Sequence, residues 1–419
     1  MNMVFVSSEL ATDKNVSGGL ASFTANMARI FTQNGHKVTI VLSTVSEFNI
    51  TFDENIRVVN SYVPLHTWER IDRLARILVW FNKHKYIELR KAVVNIYRSW
   101  DTNKKIQLLN KEEKIDIVHY CNLAALSFFA SNKIPHVVRL SCISNLWRGA
   151  EEAAGKFGYK LYPLNYREKL EEYAIQRNKY VVSPSEYLAE ITRNNINPEV
   201  TVIESPFLLG NSGWDYEVYN RKLKGKKYII HYGRLGYLKG THVICKLAKE
   251  LLEKNPGLYI VMAGSSSEIM NNSGNNASVE DVLRESAGEY ADRVIYLGKL
   301  VREKLYPVIQ KAEICVFPSR VENLANVCIE AMAMGKIVVA TNGVSFEQMV
   351  DNKVTGFLCE AENAESFLEG ITDALNLSED DKLEMGTRAK KSVERMKPET
   401  IYTQYLEYYK QVIDKQRGK

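Results

Sequence analysis

Two glutamates occur in one stretch of the chain, VENLANVCIEAMAMGK at residues 321–336. Seven small, apolar or amide side chains separate Glu322 from Glu330. A carboxylate can accept hydrogen bonds from two hydroxyls, so each glutamate could hold one vicinal diol. The structural alternative places Glu322 at the start of a helix and Glu330 on its solvent face. Because Ile329 and Ala331 surround Glu330 with apolar groups, a solvated position suits Glu330 poorly, and a binding role is favoured.

The segment around the glutamates also predicts a place for an anion. AEICVFPS reads as a buried strand, and a helix is predicted from about Asn323 to Met334, with Gly335 as the residue that ends it. The first N–H groups of a helix lack intrahelical partners and lie at the positive end of its dipole, so they attract anions such as a diphosphate. In the predicted first turn these groups belong to Leu324, Ala325 and Asn326.

Two other stretches contain residues that suit an anion. In IIHYGRLGYLKG, Gly233 permits close backbone approach after a strand, and Arg234 and Lys239 follow it. Arginine can grip a phosphate with two hydrogen bonds, and lysine adds a mobile charge. The alternative, exposed charges on a loop that caps a helix, is weaker because both cations follow a buried strand. In NVSGGLASF, Gly18 and Gly19 could expose backbone amides to a phosphate or carboxylate, although many strand-to-helix turns use glycine for geometry alone.

The alternation of short β-branched runs with amphipathic stretches is typical of parallel α/β domains. The pattern starts at MVFVSS and restarts near residue 227 with KYIIHYGRL, after a polar, turn-rich segment. We therefore predict an α/β fold of two doubly wound, Rossmann-like domains, residues 1–205 and 206–398, that face an interdomain cleft. Ligands of such sheets bind at the carboxyl ends of the strands, where the segments described above are expected to lie.

Composition and charge narrow the class of protein. The 419 residues are 45% hydrophobic and 25% charged, and the net charge of +5 gives no reason to expect a nucleic-acid partner. The six cysteines are scattered, which suggests buried free thiols in a reducing compartment. The N-terminus lacks the pattern of a signal peptide and no apolar run is long enough to span a membrane, so we expect a cytoplasmic protein.

One region, residues 66–100, could bring the protein to the cytoplasmic face of a membrane. Residues 66–114 contain twelve basic and six acidic side chains. Apolar positions recur there at helical spacing, and a basic amphipathic helix can lie on an anionic membrane. The alternative is that the apolar face packs on the sheet and the charges are solvated. The apolar positions are Ile71, Leu74, Leu78 and Phe81, the basic ones are Arg70, Arg73, Arg76 and Lys83, and Trp68 and Trp80 lie nearby.

With these residues in place, the chain resembles the family 4 retaining glycosyltransferases, which have two Rossmann-like domains in the GT-B arrangement. The similarity extends over nearly the whole chain, and the glutamate pair with its spacing is its most specific element. The similar segments are SGGLASF and NGHKVTIV within 17–41, DIVHY at 116–120, YGRLGYLKG at 232–240, PSRVENLANVCIEAMAMGKIVVAT at 318–341 and GVSFEQMVDNKVTGFL at 343–358.

The resemblance implies transfer of a hexosyl or N-acetylhexosaminyl group from a nucleoside diphosphate sugar, expected to be a UDP-sugar, to a glycan, lipid-linked or protein acceptor with retention of configuration. Arg234 and Lys239 would neutralise the diphosphate, Glu330 would hold the ribose, and Glu322 would contact the transferred sugar. The last helix, within residues 399–419, would return to pack on the N-terminal domain. The further donor-binding residues would be Gly18, Gly19, Gly233, Lys299, Leu300, Leu324, Ala325 and Asn326.

The sequence departs from the family pattern on the acceptor side. The family's His-Asp pair is replaced by Ser141 and Cys142, and the remaining candidates for acceptor binding are His119, Arg139, Ser141 and Arg148. A lone histidine at a strand end and surface arginines are also common structural residues. No D-x-D motif occurs, so we expect no metal and no cofactor. Two alternatives stay open: a catalytically weak partner subunit that binds sugar nucleotides, and a phosphorylase or epimerase of the same fold.

Overall fold

The computed structural model describes residues 1–12, 18–47, 52–78, 83–151, 158–210, 213–271 and 273–418. The chain divides into two compact units. Unit 1 comprises Met1–Asn145, Tyr162–Pro206 and Met396–Lys419, and unit 2 comprises Leu146–Leu161 and Phe207–Arg395. The chain passes from unit 1 to unit 2 after Pro206, next to the predicted domain limit between residues 205 and 206. Residues 146–161 were expected in the N-terminal domain, but they group with unit 2.

Unit 1 is built on a seven-stranded parallel sheet in the order β3-β2-β1-β4-β5-β6-β7. Strands β1 and β4 are continuous runs of buried residues, as expected for a parallel sheet that is covered on both faces. The strands are β1 (Asn2–Ser7), β2 (Lys37–Ser43), β3 (Arg57–Ser61), β4 (Ile117–Cys121), β5 (His136–Arg139), β6 (Val181–Ser183) and β7 (Val200–Val202). The helices are α1 (Gly19–Gln33), α2 (Leu65–Leu78), α3 (Lys83–Glu112), α5 (Tyr166–Gln176) and α6 (Glu186–Asn195). Helix α4 (Ser144–Ala150) begins in unit 1, and its residues from Leu146 onward group with unit 2.

Unit 2 is built on a six-stranded parallel sheet in the order β12-β9-β8-β13-β14-β15, and β10 and β11 form a small antiparallel pair. The strands are β8 (Lys227–Tyr232), β9 (Leu258–Ala263), β10 (Ile269–Met270), β11 (Asn276–Ala277), β12 (Val294–Tyr296), β13 (Ile314–Phe317), β14 (Ile337–Thr341) and β15 (Phe357–Cys359). The helices are α7 (Glu217–Lys222), α8 (Thr241–Lys254), α9 (Val279–Ala287), α10 (Arg302–Gln310), α11 (Asn326–Ala333), α12 (Ala364–Asn376) and α13 (Glu379–Ser392).

The last helix, α14 (Pro398–Arg417), belongs to unit 1. Its Tyr405 and Tyr409 are fully buried in the same apolar core as Phe23 and Phe31 of α1. Proline at the first helical position supplies the φ angle that a helix start needs. Aromatic burial on this scale ties the end of the chain to the first sheet.

The prediction of two doubly wound α/β units is confirmed. In both sheets the strand order reverses beside the first strand of the unit, between β1 and β4 in unit 1 and between β8 and β13 in unit 2. Such a reversal opens a crevice at the carboxyl ends of the strands, because the loops on its two sides turn to opposite faces of the sheet. All six cysteines are free thiols, and five of them are buried.

Helix α2 packs on α3 through a small apolar cluster rather than through the core of the sheet. Ile71 is buried in this cluster, whereas Leu74 is 60% exposed. The prediction placed both residues on one apolar face of the helix, but only Ile71 packs on α3 and Leu74 faces solvent. The side chains of Leu78 and Lys83 and the residues Trp80 and Phe81 lie outside the described part of the chain. Among the described residues, no helix is both long enough and apolar enough to cross a membrane.

Candidate functional site

Two sequence segments meet at the point where the strand order of unit 2 reverses. Strand β8 ends at Tyr232 and continues into Gly233 and Arg234, while its neighbour β13 ends at Phe317 and continues into the loop that carries Glu322. The fold therefore brings the predicted cations and the predicted glutamates to the same edge of one sheet, which is where open parallel sheets bind ligands.

Lys239 and Glu322 form an ion pair in this crevice. The Lys239 ammonium donates to Glu322 Oε1, and the Ser319 hydroxyl donates to the same oxygen at 2.9 Å. Glu322 is buried, and the side chain of Lys239 is 23% exposed. The charge of the buried carboxylate is therefore compensated, while the lysine can still be reached from solvent.

Two glycines, neither of which received a role from the sequence, let the backbones around Lys239 approach closely. A Cβ atom at Gly240, which has a φ of +67°, would lie 1.7 Å from the carbonyl oxygen of Pro318. A Cβ atom at Gly264 would lie 1.6 Å from the carbonyl oxygen of Gly233. A larger residue at Gly240 would push apart the loops after β8 and β13, which are the two sides of the crevice, and a larger residue at Gly264 would push apart the loops after β8 and β9. In the sequence, Gly240 directly precedes the helical pattern of 241–254, and a glycine at such a boundary is the available signal for a tight turn.

Arg234 makes a weaker contact than Lys239. Its guanidinium lies 3.2 Å from a carboxylate oxygen of Glu151, which also belongs to unit 2, and both side chains are more than half exposed. Exposed pairs of this kind contribute at most about 1 kcal/mol. An anionic ligand that offers Arg234 two oxygens can therefore replace Glu151 as its partner.

Helix α11 begins at Asn326, three residues later than predicted. Loop contacts explain the difference: the Arg320 N–H donates to the Leu238 carbonyl at 3.0 Å, and Glu322 is held by Lys239 as described above. Leu324 and Ala325 therefore precede the helix, with Ala325 as an extended N-cap. The amides at the helix start belong to Asn326 and the residues that follow it, so the predicted anion seat moves along the chain by two residues, about half a turn.

The end of α11 agrees with the prediction. Gly335 follows the C-cap with a φ of +69°, and its N–H donates to the Met332 carbonyl at 2.9 Å. The Lys336 N–H donates to the Ala331 carbonyl at 3.0 Å, which completes a glycine-terminated helix end.

Glu330 lies in the middle of α11 and is buried, with 7% of its surface exposed. The Tyr306 hydroxyl donates to Glu330 Oε1 at 3.3 Å, and Arg302 Nε lies 3.9 Å from the same oxygen. Burial raises the pKa of Glu330 to about 7, and the charge of Arg302 and the hydrogen bond from Tyr306 limit this rise. The sequence did not single out Arg302 or Tyr306, although their spacing of four residues in REKLY places both on one helix face.

Lys299 and Leu300 follow β12, the edge strand of the same sheet. The carbonyl of Gly298 accepts a hydrogen bond from Gly264 N–H at 2.8 Å, which joins this loop to the loop after β9. Lys299 is exposed and Leu300 is partly buried. Both residues thus lie at the carboxyl edge of the unit 2 sheet.

Gly18 and Gly19 lie in unit 1, at the start of α1. Both are exposed, and Gly18 has a φ of +42° with a φ/ψ pair that disfavours larger residues. A Cβ atom at Gly18 would lie 3.2 Å from Glu9 Oε2. The preceding residues 13–17 are outside the described part of the chain.

The candidates for acceptor binding occupy different environments. His119 is buried among aromatic rings, Tyr409 O–H lies 2.6 Å from its Nδ1, and burial lowers the pKa of His119 to about 3. Arg139 is buried with its guanidinium 3.7 Å from the centre of the Phe23 ring, and it donates to the Ser141 hydroxyl at 3.3 Å. These contacts are those of a folded core. Ser141 and Arg148 are partly exposed, and Arg148 groups with unit 2.

The arrangement in unit 2 suits stabilisation of an anion flanked by hydroxyl groups. Lys239 contacts Glu322 directly, Arg234 and the start of α11 lie at the same edge of the sheet, and Glu330 lies further along the same helix. In the described ranges, no cluster of three or more His, Cys, Asp or Glu side chains has the geometry of a metal site.

Comparison with known proteins identifies the class to which this fold and this site belong, the glycosyltransferases of the GT-B type. Residues 17–206 match the family model described as Glycosyltransferase Family 4, and residues 215–392 match the model described as Glycosyl transferases group 1. The two matches together extend over most of the chain. The chain belongs to the family 4 glycosyltransferases with the GT-B fold.

Individual relatives are distant. An uncharacterized glycosyltransferase of Methanocaldococcus jannaschii is 22% identical over 381 residues, which are 86% of each chain. Sucrose-phosphate synthase from Thermosynechococcus elongatus superposes with a TM-score of 0.73 at 15% identity, over 98% of both chains. Anabaena HepE in complex with UDP-glucose superposes with a TM-score of 0.65 at 15% identity, over 98% of this chain and 100% of the other. At these identities the structural likeness shows the fold.

Proposed function

We propose that the protein transfers a hexosyl or N-acetylhexosaminyl group from a nucleoside diphosphate sugar, a UDP-sugar, to a glycan, lipid-linked or protein acceptor with retention of configuration. The observation that carries the proposal is the crevice of unit 2, where Arg234, Lys239 and the start of α11 lie at one sheet edge with the two glutamates. The complex of Anabaena HepE with UDP-glucose supports the choice of donor.

The chemical problem is the departure of a nucleoside diphosphate from an anomeric carbon. Negative charge grows on the diphosphate in the transition state, so fixed cations stabilise this state more than the bound substrate. Lys239 can turn from Glu322 to a phosphate, and Arg234 can exchange Glu151 for two phosphate oxygens. We propose that these cations do the work for which other transferases use a divalent metal, so that the reaction needs no metal.

The two glutamates divide the recognition of the donor between them. Glu330 is buried along α11, away from the helix start, and is assigned to the ribose hydroxyls. Glu322 lies in the loop beside Lys239 and is assigned to the transferred sugar. Retention would follow from attack on the same face of the sugar, with the leaving phosphate accepting the proton of the acceptor.

The surface of α2 supports a further proposal, that unit 1 touches an anionic membrane. Leu65, Leu74 and Ile77 are 60–73% exposed, and Arg70 and Arg73 are exposed beside them. Ile71 and the partly buried Trp68 pack inward on α3, so these three apolar residues are not needed to hold the helix in place. Each basic residue near an anionic surface contributes roughly 1 kcal/mol of attraction. Such contact would suit a lipid-linked acceptor.

A thermal-shift screen tests the proposed donor directly. A ligand that binds only the folded protein raises its unfolding temperature, by an amount that grows with concentration. UDP-, GDP- and ADP-sugars are compared at equal concentrations, with the wild-type protein and Arg234→Ala in parallel. The proposal expects a shift with UDP-sugars that is lost in the variant. A shift with none of the three, or one that Arg234→Ala keeps in full, contradicts it.

A further inference from the structure

We propose that Arg302 and Tyr306 of α10 are positioning residues that keep Glu330 ionised and oriented for the hydroxyl pair of the nucleotide ribose. This inference rests on the proposed function and adds two residues from a helix that the sequence motifs did not include. It concerns the state of the glutamate rather than a direct contact with the nucleotide.

The described side chains that contact the Glu330 carboxylate do so through one of its two oxygens. The hydroxyl of Tyr306 and Nε of Arg302 both face Oε1, at 3.3 Å and 3.9 Å. In the described part of the chain, no residue hydrogen-bonds Oε2. One oxygen is thus held by the protein, and the other remains to accept hydrogen bonds from a ligand.

A buried carboxylate needs such support to bind a diol. Once protonated, it loses part of its capacity to accept hydrogen bonds from two hydroxyls. Burial favours the protonated form and raises the pKa of Glu330 to about 7, whereas the charge of Arg302 and the hydrogen bond of Tyr306 act in the opposite direction. The resulting pKa of Glu330, about 7, falls within the physiological pH range. Arg302 and Tyr306 therefore determine which fraction of Glu330 is ionised at physiological pH.

The other groups near Glu330 carry no charge. Tyr232 of β8 donates its hydroxyl to the Val327 carbonyl at 2.6 Å, and burial raises its pKa well above its usual value. Cys315 of β13 and Cys328 of α11, which lie near Tyr232, are buried thiols whose pKa values are raised by burial. Arg302 is therefore the charged group that faces Glu330 among the described residues.

Helix α10 is anchored in a way that fixes Tyr306. Pro307 lacks an N–H, so the carbonyl of Glu303 loses its usual partner within the helix. The N–H of Asp215 donates to this carbonyl at 2.9 Å instead. The neighbouring Trp214 packs edge-on against the Tyr306 ring, with 6.0 Å between the ring centres. The Tyr306 hydroxyl is thereby aimed at Glu330 by contacts that do not involve a ligand.

The experiment measures the affinity of UDP-glucose by calorimetry between pH 5.5 and 9. Both phosphates of this ligand are diesters, so they do not titrate in this range. The wild-type affinity is expected to fall about tenfold between pH 8.5 and pH 6, as Glu330 takes up a proton. In Arg302→Gln the loss should be about fivefold at pH 7 and less than twofold at pH 9, because an opposite charge at this distance shifts a carboxyl pKa by about one unit.

Matched variants separate positioning from other roles. Arg302→Lys keeps the charge and should restore the wild-type pH profile, and Tyr306→Phe should move the profile in the same direction as Arg302→Gln. Lys311→Gln removes an exposed charge at the end of the same helix and should change nothing. An Arg302→Gln affinity that is unchanged at pH 7, or reduced equally at pH 7 and pH 9, overturns the inference.

A readout without ligand keeps this inference separate from the proposed function. The stability difference between Arg302→Gln and Arg302→Gln/Glu330→Gln, followed against pH, reports the ionisation of Glu330 alone. This stability difference should reach its plateau at a higher pH than the stability difference between the wild-type protein and Glu330→Gln. Equal profiles contradict the role of Arg302. If the profiles differ but the wild-type protein does not bind UDP-glucose at any pH, the proposed donor fails and the inference about Glu330 stands as a structural statement only.

Discussion

The substitution Glu330→Gln should stabilise the ligand-free protein at alkaline pH while it weakens nucleotide binding. Burial raises the pKa of this carboxyl from 4.5 to about 7, so folding favours its protonated form. Below about pH 4.5 the folded and unfolded states are both protonated at this position, and the charge has no effect on stability. Between pH 4.5 and 7 the unfolded state loses its proton first, and the folded state loses stability as the pH rises. Above pH 7 the penalty is complete.

The size of the effect follows from the same shift. A difference of one pKa unit corresponds to about 1.4 kcal/mol, so ionisation of Glu330 destabilises the fold by at most about 3.5 kcal/mol at pH 8.5. Glutamine is neutral at every pH and can still accept the hydrogen bond from Tyr306. For a domain of this size, about 3.5 kcal/mol corresponds to roughly 7–14 °C in the unfolding midpoint. The gain should be small at pH 5, about a quarter of its full size, and reach several degrees at pH 8.5.

Differential scanning calorimetry at pH 5 and pH 8.5 measures this gain, and Glu322→Gln is the matched control. Glu322 is paired with Lys239, so its neutralisation leaves a partly buried lysine without its partner and should lower the midpoint at pH 8.5. The two substitutions in one motif are thus expected to act in opposite directions. A Glu330→Gln protein that gains equally at both pH values, or that loses stability at pH 8.5, refutes the reasoning.

Three further predictions concern catalysis and location. Arg234→Ala and Lys239→Ala should each lower kcat/KM by about two orders of magnitude or more, because a cation that stabilises the leaving diphosphate is lost; near-normal turnover in both would rule out the assignment. Activity should persist in EDTA, and loss on chelation that Mg²⁺ or Mn²⁺ restores would show that a metal takes part. The protein should sediment with anionic vesicles at low salt, where electrostatic attraction is strongest. The double substitution Leu74→Glu/Ile77→Glu should abolish this sedimentation, whereas the control Leu383→Glu, at an exposed site of unit 2, should not. A wild-type protein that stays in the supernatant excludes the membrane contact.

The parts of the fold that local sequence patterns determine were predictable. Alternating apolar runs and helical periodicity indicated both doubly wound units, because each strand of a parallel sheet must be buried on two faces. Gly335 marked the end of α11 correctly, since a glycine that follows a helix adopts a positive φ with little strain.

The errors arose where tertiary contacts outweigh local preference. The start of α11 was placed at Asn323, but the contacts of Arg320 with Leu238 and of Glu322 with Lys239 hold the preceding loop in a non-helical conformation. Both contacts join residues more than 80 positions apart, so no pattern within a helical window reports them.

The faces of α2 show the same limit. Helical spacing grouped Ile71 with Leu74, but the packing partner of the helix is α3, which buries Ile71 and leaves Leu74 exposed. The roles of Gly240 and of Arg302 likewise depend on which segments the fold brings together. The sequence shows which residues are present, but it does not show which residues lie beside them in the folded protein.

The most direct test of the roles assigned to the two glutamates is calorimetric titration with UDP at pH 8.5, where both phosphates of the nucleotide are fully ionised. The wild-type protein should bind UDP, and Glu322→Gln should bind it with nearly the same affinity because the transferred sugar is absent. Glu330→Gln should bind it at least tenfold more weakly, since a ribose hydroxyl loses a charged acceptor. Equal losses in both variants, or no loss in Glu330→Gln, would contradict the proposal that Glu330 holds the ribose of a nucleoside diphosphate in the crevice of unit 2.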